Sequence, residues 1–369
     1  MITTAEIDIS ALLSNFDNIK KKISPTKVMA VVKANAYGHG IEVVSRELEK
    51  RGADYFGVST LNEGLILRRV GISAPVFLLS PLSGTDINAA IENDLEMTVI
   101  SIKSAKEISE VSERLKKTGK IHIKIDTGMG RIGINWQEAL DALMKIASLP
   151  YLEIVGLFTH FAASDKKDKS FAELQLERFN QVIERLTRKK VEIPLKHAAN
   201  SGAVLDMKDS YFDMVRTGIM LYGYYPSQET SESIPLKPIM TLKSKVVQKK
   251  KIKKGTSVSY GRGFITEKDT VIVSVPIGYA HGYRRALSNK GEVLIRGKRY
   301  PVVGTVCMDW IMVDVKDDGI INEGDEVILF GRQGNECIDL LELCEKLDTI
   351  PYEILSQIST NVPRIYINR

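Results

Sequence analysis

Cysteine is scarce in this chain. Cys307, Cys337 and Cys344 are an odd number in 369 residues and show no CxxC spacing, which argues against a disulfide scaffold and a structural zinc site. No apolar run reaches the roughly 18 residues that a membrane helix needs. The opening segment, MITTAEIDIS, lacks a basic leader and an apolar core, so the expectation is a cytoplasmic protein without membrane association. Proline is sparse at 12 residues against 27 glycines, excluding collagen-like or proline-rich chains. Charge of one sign is also missing. Fifty-one Lys and Arg face 46 Asp and Glu, a formal charge of +5, too small to imply a nucleic-acid partner without a localised patch.

One patch exists. Residues 243–254, KSKVVQKKKIKK, hold seven lysines but no aromatic to stack on bases. They alternate like a strand, and edge strands use lysine to block unwanted pairing, so a solvated sheet edge is expected rather than a nucleic-acid site.

What the chain has is rhythm. From residue 10 to about 225, short β-rich runs (28–33, 55–59, 75–79, 96–100, 121–126, 153–158, 194–198, 212–215) alternate with helical periods near 40–50, 61–70, 84–93, 103–117, 136–148, 170–188 and 201–207. Eight such repeats fit an α/β fold of the (β/α)8 TIM-barrel type. Past the polar stretch SQETSESIPLKP (227–238) the helical period vanishes and short alternating strands follow, with one helix near 338–347. The expected division is residues 1–232 as barrel and 233–369 as a mostly β domain.

Barrel active sites gather at the carboxyl ends of the strands. Lys33 closes the first strand in AVVKANAYGHG, Arg131 follows the fifth in IDTGMGRIG, and His160 the sixth in LFTHFAASD. Asn200 and Ser201 follow the seventh, and Arg216 and Gly218 the eighth. Barrels hold phosphate through the loops after strands seven and eight, so NSG and TGI suit a phosphorylated ligand. A lysine desolvated nearby suits Schiff-base chemistry. Each residue taken singly also fits a solvated loop, and the spacing leaves the chemistry open. Gly128, Gly130 and Gly133 spell the G-x-G-x-x-G of dinucleotide sites. Glu153, however, opens the next strand instead of closing it, and Arg131 would crowd a pyrophosphate.

The ordered series AVVKANAYGHG, IKIDTGMGRIG, HFAASD, HAANSGA, VRTGIMLYG, SYGRGF, IGYAHGY, VCMD and PYE resembles alanine racemase, a fold-type III pyridoxal-phosphate family, across essentially the whole chain. The resemblance implies interconversion of L- and D-alanine, supplying D-alanine for peptidoglycan. It implies that Lys33 holds the cofactor as a Schiff base and is one catalytic base, and that Tyr260, lent by the partner copy of a homodimer, is the other. The two would flank the cofactor, as inversion of a stereocentre requires, with Lys33 serving the D-alanine face and Tyr260 the L-alanine face. Arg216 would meet the pyridine nitrogen, with His160 beside it. A guanidinium keeps its protons, so the ring nitrogen would stay unprotonated and transamination would be disfavoured.

Tyr37, Ser201, Gly218, Ile219 and Tyr352, with Asn200 close by, correspond to the phosphate-binding set, and Arg131 and Met308 to the substrate-carboxylate set. Lys124 matches a lysine that many members carry as a carbamate. Asp165, Tyr279 and Arg285 match the entrance corridor. There the chain departs from the family pattern. His281 replaces an Asp, Thr305 an Arg and Trp310 a Gln. No metal is implied. Two other readings share the fold: a racemase for serine or a broader range, against which bulky Tyr352 argues, and a non-catalytic cofactor-binding barrel, against which the β domain bearing Tyr260 argues.

Overall fold

The structure, a computed structural model, describes residues 2–316 and 319–368. Two compact units emerge. One comprises Ala11–Ala36 and Gly40–Pro238; the other comprises Met1–Ser10, Tyr37–His39 and Ile239–Arg369.

The first unit is the barrel. Its parallel strands are β1 (Lys27–Val31), β2 (Tyr55–Val58), β3 (Val76–Leu78), β4 (Leu95–Val99), β5 (Gly119–Asp126), β6 (Leu152–Phe158), β7 (Leu195–His197) and β8 (Met214–Thr217). They pair in the order β8-β1-β2-β3-β4-β5-β6-β7. Asp213 N–H donates to Lys196 O at 3.1 Å and Arg216 N–H to Ala199 O at 2.9 Å, which draws the last two strands together. The barrel is thus nearly closed.

Its helices follow the expected periods, because apolar residues return every three or four positions. In Ser170–Arg188 the buried face is Ala172, Gln175, Phe179, Val182 and Leu186. A helix at Ile9–Ile23 precedes β1 and was not anticipated. Inside the barrel, Met29, Tyr55, Phe77, Phe158, Leu195 and Met214 pack into one cluster. Each such side chain contributes about 1.5–3 kcal/mol by leaving water.

The compact units depart from the expected division at two places. Residues 4–8 do not belong to the barrel: TAEID buries alternate side chains, as a half-buried strand does, and joins the β unit's sheet. Thr4–Asp8 runs antiparallel to Met240–Lys245 and parallel to Arg364–Ile367. Residues 233–238, expected in the β domain, group with the barrel.

The lysine-rich segment is mostly strand. Gln248–Ile252 lies at the edge of a three-stranded sheet, paired with Thr270–Val275. Lys243 pairs with Glu6 and Glu326, and Lys253 with Asp269. Among the described residues, no helix is long and apolar enough to cross a membrane.

Candidate active site

Lys33 begins an unusual turn. The four residues after it, Ala34, Asn35, Ala36 and Tyr37, all have φ between +51° and +54°, one turn of left-handed helix built without glycine. L-residues pay roughly 1 kcal/mol or more each for this conformation, so the surroundings must hold it. Ala36 N–H donates to Val32 O at 2.8 Å, and Ile41 N–H to Asn35 Oδ1 at 2.9 Å. Glu63 supplies the third tie. It closes the capping box of helix Leu61–Arg69 with Thr60, and its other carboxylate oxygen accepts Ala34 N–H at 2.6 Å.

Lys33, Lys124 and Arg216 lie with His160 in one electropositive neighbourhood. Burial and the charge of Arg131 lower the Lys33 pKa, against an upward pull from Glu63. Burial, Arg131 and Arg216 bring Lys124 down to about 8. Burial and Arg216 hold His160 well below the usual histidine range, which keeps it neutral. Arg131 itself is exposed and touches the others through charge. Cations crowded at a barrel mouth call for an anionic ligand.

Arg216 spends all but one of its donors on the protein. Burial brings its guanidinium down to about 9, still charged at neutral pH. Nη1 donates to His197 Nδ1 and His197 O, both at 2.9 Å. Nη2 donates to Thr159 O at 2.7 Å and Ala198 O at 2.9 Å, with His160 Nδ1 at 3.2 Å. Nε–H has no partner among the described residues. One unspent donor on a buried guanidinium fits a neutral acceptor such as a ring nitrogen.

The phosphate side fits as well. Asn200 caps the helix Ser201–Asp206 by accepting Ala203 N–H, while Ser164 Oγ donates to the same Asn200 oxygen at 2.6 Å. Ser201 Oγ accepts Gly218 N–H at 3.1 Å, leaving its own hydrogen unspent. Gly202 is required there, since a Cβ would lie 2.9 Å from Ser164 O. Ile219 is fully buried beside Gly218. The dinucleotide reading fails on the same accounting. Asp126 Oδ1 accepts Gly128 N–H at 2.9 Å and Gly130 N–H at 3.1 Å, so both of these glycine donors are already spent. Among the described residues no group of His, Cys, Asp and Glu is placed to hold a metal ion.

Tyr260 lies in the β unit, on the short connection between Ser257–Val258 and Phe264–Ile265. The residue is 73% exposed. Thr305 Oγ1 donates to Tyr260 O at 2.9 Å, so the residue that departs from the family pattern anchors the tyrosine's backbone. Tyr279 and Met308 belong to adjoining segments: Tyr279 N–H donates to Cys307 O and Ala280 N–H to Met308 O. His281 folds back to accept Gly278 N–H through Nδ1. Trp310 and Arg285 are exposed in the same unit. The Tyr37 and Tyr352 rings meet at 5.9 Å, tilted by 50°. In the barrel unit, Asp165 is half-buried, its carbonyl accepting from Ser227 Oγ.

Family models for the alanine racemase N-terminal and C-terminal domains match residues 7–226 and 239–366. The chain belongs to the alanine racemase family. It is 46% identical over its full length to alanine racemase 2 of Caldanaerobacter subterraneus, covering 95% of that protein. It is 46% identical to the alanine racemase of Carboxydothermus hydrogenoformans, over 98% of this chain and 99% of that one. Among solved structures, the alanine racemase of Clostridium difficile 630 superposes with a TM-score of 0.95 at 38% identity, over 100% and 96% of the two chains. That of Bartonella henselae, with covalently bound pyridoxal phosphate, gives 0.90 at 30% identity and full coverage of both. The chain is therefore an isomerase acting on alanine.

Four residues escaped the sequence reading of this racemase: Glu63, Glu96, His122 and His197. Glu63 was legible, because Thr60-x-x-Glu63 is a capping-box signature before an apolar helix. Glu96 showed only as an acid inside a strand run.

Proposed function

We propose that the chain racemises alanine by a two-base route on pyridoxal phosphate, with Lys33 and Tyr260 as the bases. The unspent Nε–H of buried Arg216, in the same cationic cluster as a lysine whose amine is easily freed of its proton, is the observation that supports this most. When bound, pyridoxal phosphate supplies a conjugated ring that draws electrons from the substrate Cα–H bond. Lys33 would hold that group and exchange a proton with Cα on one face. Its lowered pKa gives a neutral amine nearer physiological pH, which both tasks need. Arg216 would donate to the ring nitrogen without surrendering a proton, which would restrain how much charge the ring takes up.

Ser201, Gly218, Ile219, Tyr37 and Tyr352, with Asn200 ordering the turn, would hold the phosphate. Arg131 and the Met308 backbone would hold the substrate carboxylate, and Asp165, Tyr279 and Arg285 would line the approach. Lys124, with its pKa near 8, has the free amine that carbamate formation needs, and a carbamate would neutralise part of the cationic cluster. The product D-alanine would serve peptidoglycan synthesis in the cytoplasm.

Tyr260 would act across a homodimer. Ile265, Tyr279, Met308 and Trp310 are exposed with it on the β unit, an apolar set suited to association. Mixing Lys33→Ala and Tyr260→Phe chains tests the arrangement. A mixed dimer then carries one intact site, so activity should return when two inactive proteins are mixed and pyridoxal phosphate is supplied. Failure to recover D-alanine formation from a mixed dimer would refute the shared site. Wild-type activity indifferent to the cofactor would refute the route itself.

A further inference from the structure

Arg216 is the end of a longer chain of hydrogen bonds through the barrel interior. His197 Nδ1 lies 2.9 Å from Arg216 Nη1, and His197 Nε2 lies 3.0 Å from His122 Nδ1. His122 Nε2 in turn lies 2.7 Å from Glu96 Oε2. None of the four residues is more than 5% exposed. The chain crosses from β8 to β7, β5 and β4.

Only one placement of protons satisfies every member. A guanidinium donates and cannot accept, so His197 Nδ1 is an acceptor and its single proton sits on Nε2. That proton points at His122 Nδ1, which must accept, and this leaves the His122 proton on Nε2, facing the carboxylate. A charged imidazole at either position would set two donors head to head. Unmatched donors in a dry interior are expensive, so the order runs one way: Arg216 to His197 to His122 to Glu96. Burial, Arg216 and His122 hold the His197 pKa well below the histidine range, in line with a neutral ring.

The rings are also held against rotation. His197 stacks on Phe158 with centroids 5.0 Å apart and planes within 2°. His122 lies against Phe77 at 4.2 Å. Gly156 makes room for it, because a Cβ there would sit 2.1 Å from His122 Nδ1. Glu96, at the far end, also acts through charge on Arg68 and Lys120.

We infer that Glu96, His122 and His197 are positioning residues that act through Arg216. The relay pins Nη1, the carbonyls of Thr159 and Ala198 pin Nη2, and Nε–H is thereby the donor left for the ligand. The identity of that ligand rests on the function proposed above; the direction of the relay does not.

Nitrogen-15 imidazole spectra of the wild-type holoenzyme, assigned with single-histidine variants, test the direction without any change to Glu96. Both His122 and His197 should be neutral with the proton on Nε2. A proton on Nδ1 of either ring would overturn the relay. Glu96→Ala should then disturb the His197 signals, move the visible band of bound pyridoxal phosphate and weaken cofactor binding about 5- to 10-fold, the scale of one buried hydrogen bond left unmade. Glu96→Gln, whose amide oxygen can still accept, should restore most of that affinity. Glu96→Ala with wild-type affinity and an unmoved band would refute the positioning role. If the wild type itself failed to bind pyridoxal phosphate while showing both tautomers as expected, the function would fall and the relay would stand.

Discussion

Lys124 and His122 sit two positions apart on β5, so their side chains share the barrel's inner face, yet burial acts on them through different neighbours. His122 has partners at both ring nitrogens. Lys124 has the Phe158 ring at 5.4 Å and two guanidinium charges within reach, and its amine falls to about 8 from an ordinary 10.5. The folded state therefore sheds this proton before the unfolded chain does. Between about pH 8 and 10.5 the unfolded chain binds more protons, so the group's stabilising contribution is full above 10.5 and lost as pH falls towards 8. In decarbonated buffer, wild-type stability in urea should rise across that window relative to Lys124→Met. Bicarbonate, by converting the amine to a carbamate, should flatten the rise; a flat difference without bicarbonate would contradict the burial argument.

Among the elements, the left-handed turn after Lys33 and the helix Leu61–Arg69 depend on one carboxylate. Glu63 accepts Ser59 N–H at 2.9 Å and Thr60 N–H at 3.1 Å while holding Ala34 N–H. Glu63→Ala should cost about 1–3 kcal/mol in thermal or denaturant unfolding, from a lost cap and unpaired N–H groups. It should also weaken cofactor binding, since the turn carries Lys33; unchanged stability and affinity would dissociate the two. The eight strands were legible because each is a short apolar run between helical periods, and the polar residues ending them led to Lys33, His160, Asn200 and Arg216. The helix Ile9–Ile23 hid next to a strand with no turn between, Asp8 to Ile9. Glu96 and His122 stayed hidden for a different reason: their meaning is a hydrogen bond across the barrel, and no periodicity along the chain encodes a partner one or two strands away.

For the whole molecule, the shift from helical to alternating pattern past residues 227–238 signals a change of architecture, but could not reveal that residues 4–8 pair with strands beyond it. Pairing between positions separated by more than 350 residues leaves no local trace. Thr4–Asp8 takes its register from both neighbours: Ala5 faces Leu242 on one side and Arg364 on the other, and Ala5 N–H donates to Pro363 O at 2.9 Å. A chain ending at Ser359 should keep the barrel's helical circular dichroism but lose hydrogen-exchange protection at Ala5 and Ile7. Protection retained at those amides would show that the strand's place does not depend on its parallel neighbour.

That sheet also sets a timetable for synthesis. The ribosome delivers Thr4–Asp8 long before Arg364–Ile367, so the edge of this strand that faces its parallel neighbour stays open while the barrel strands emerge and order behind it. The β unit can complete its sheet only once residues 364–367 have emerged. Assembly of any oligomer through the finished sheet is postponed until then.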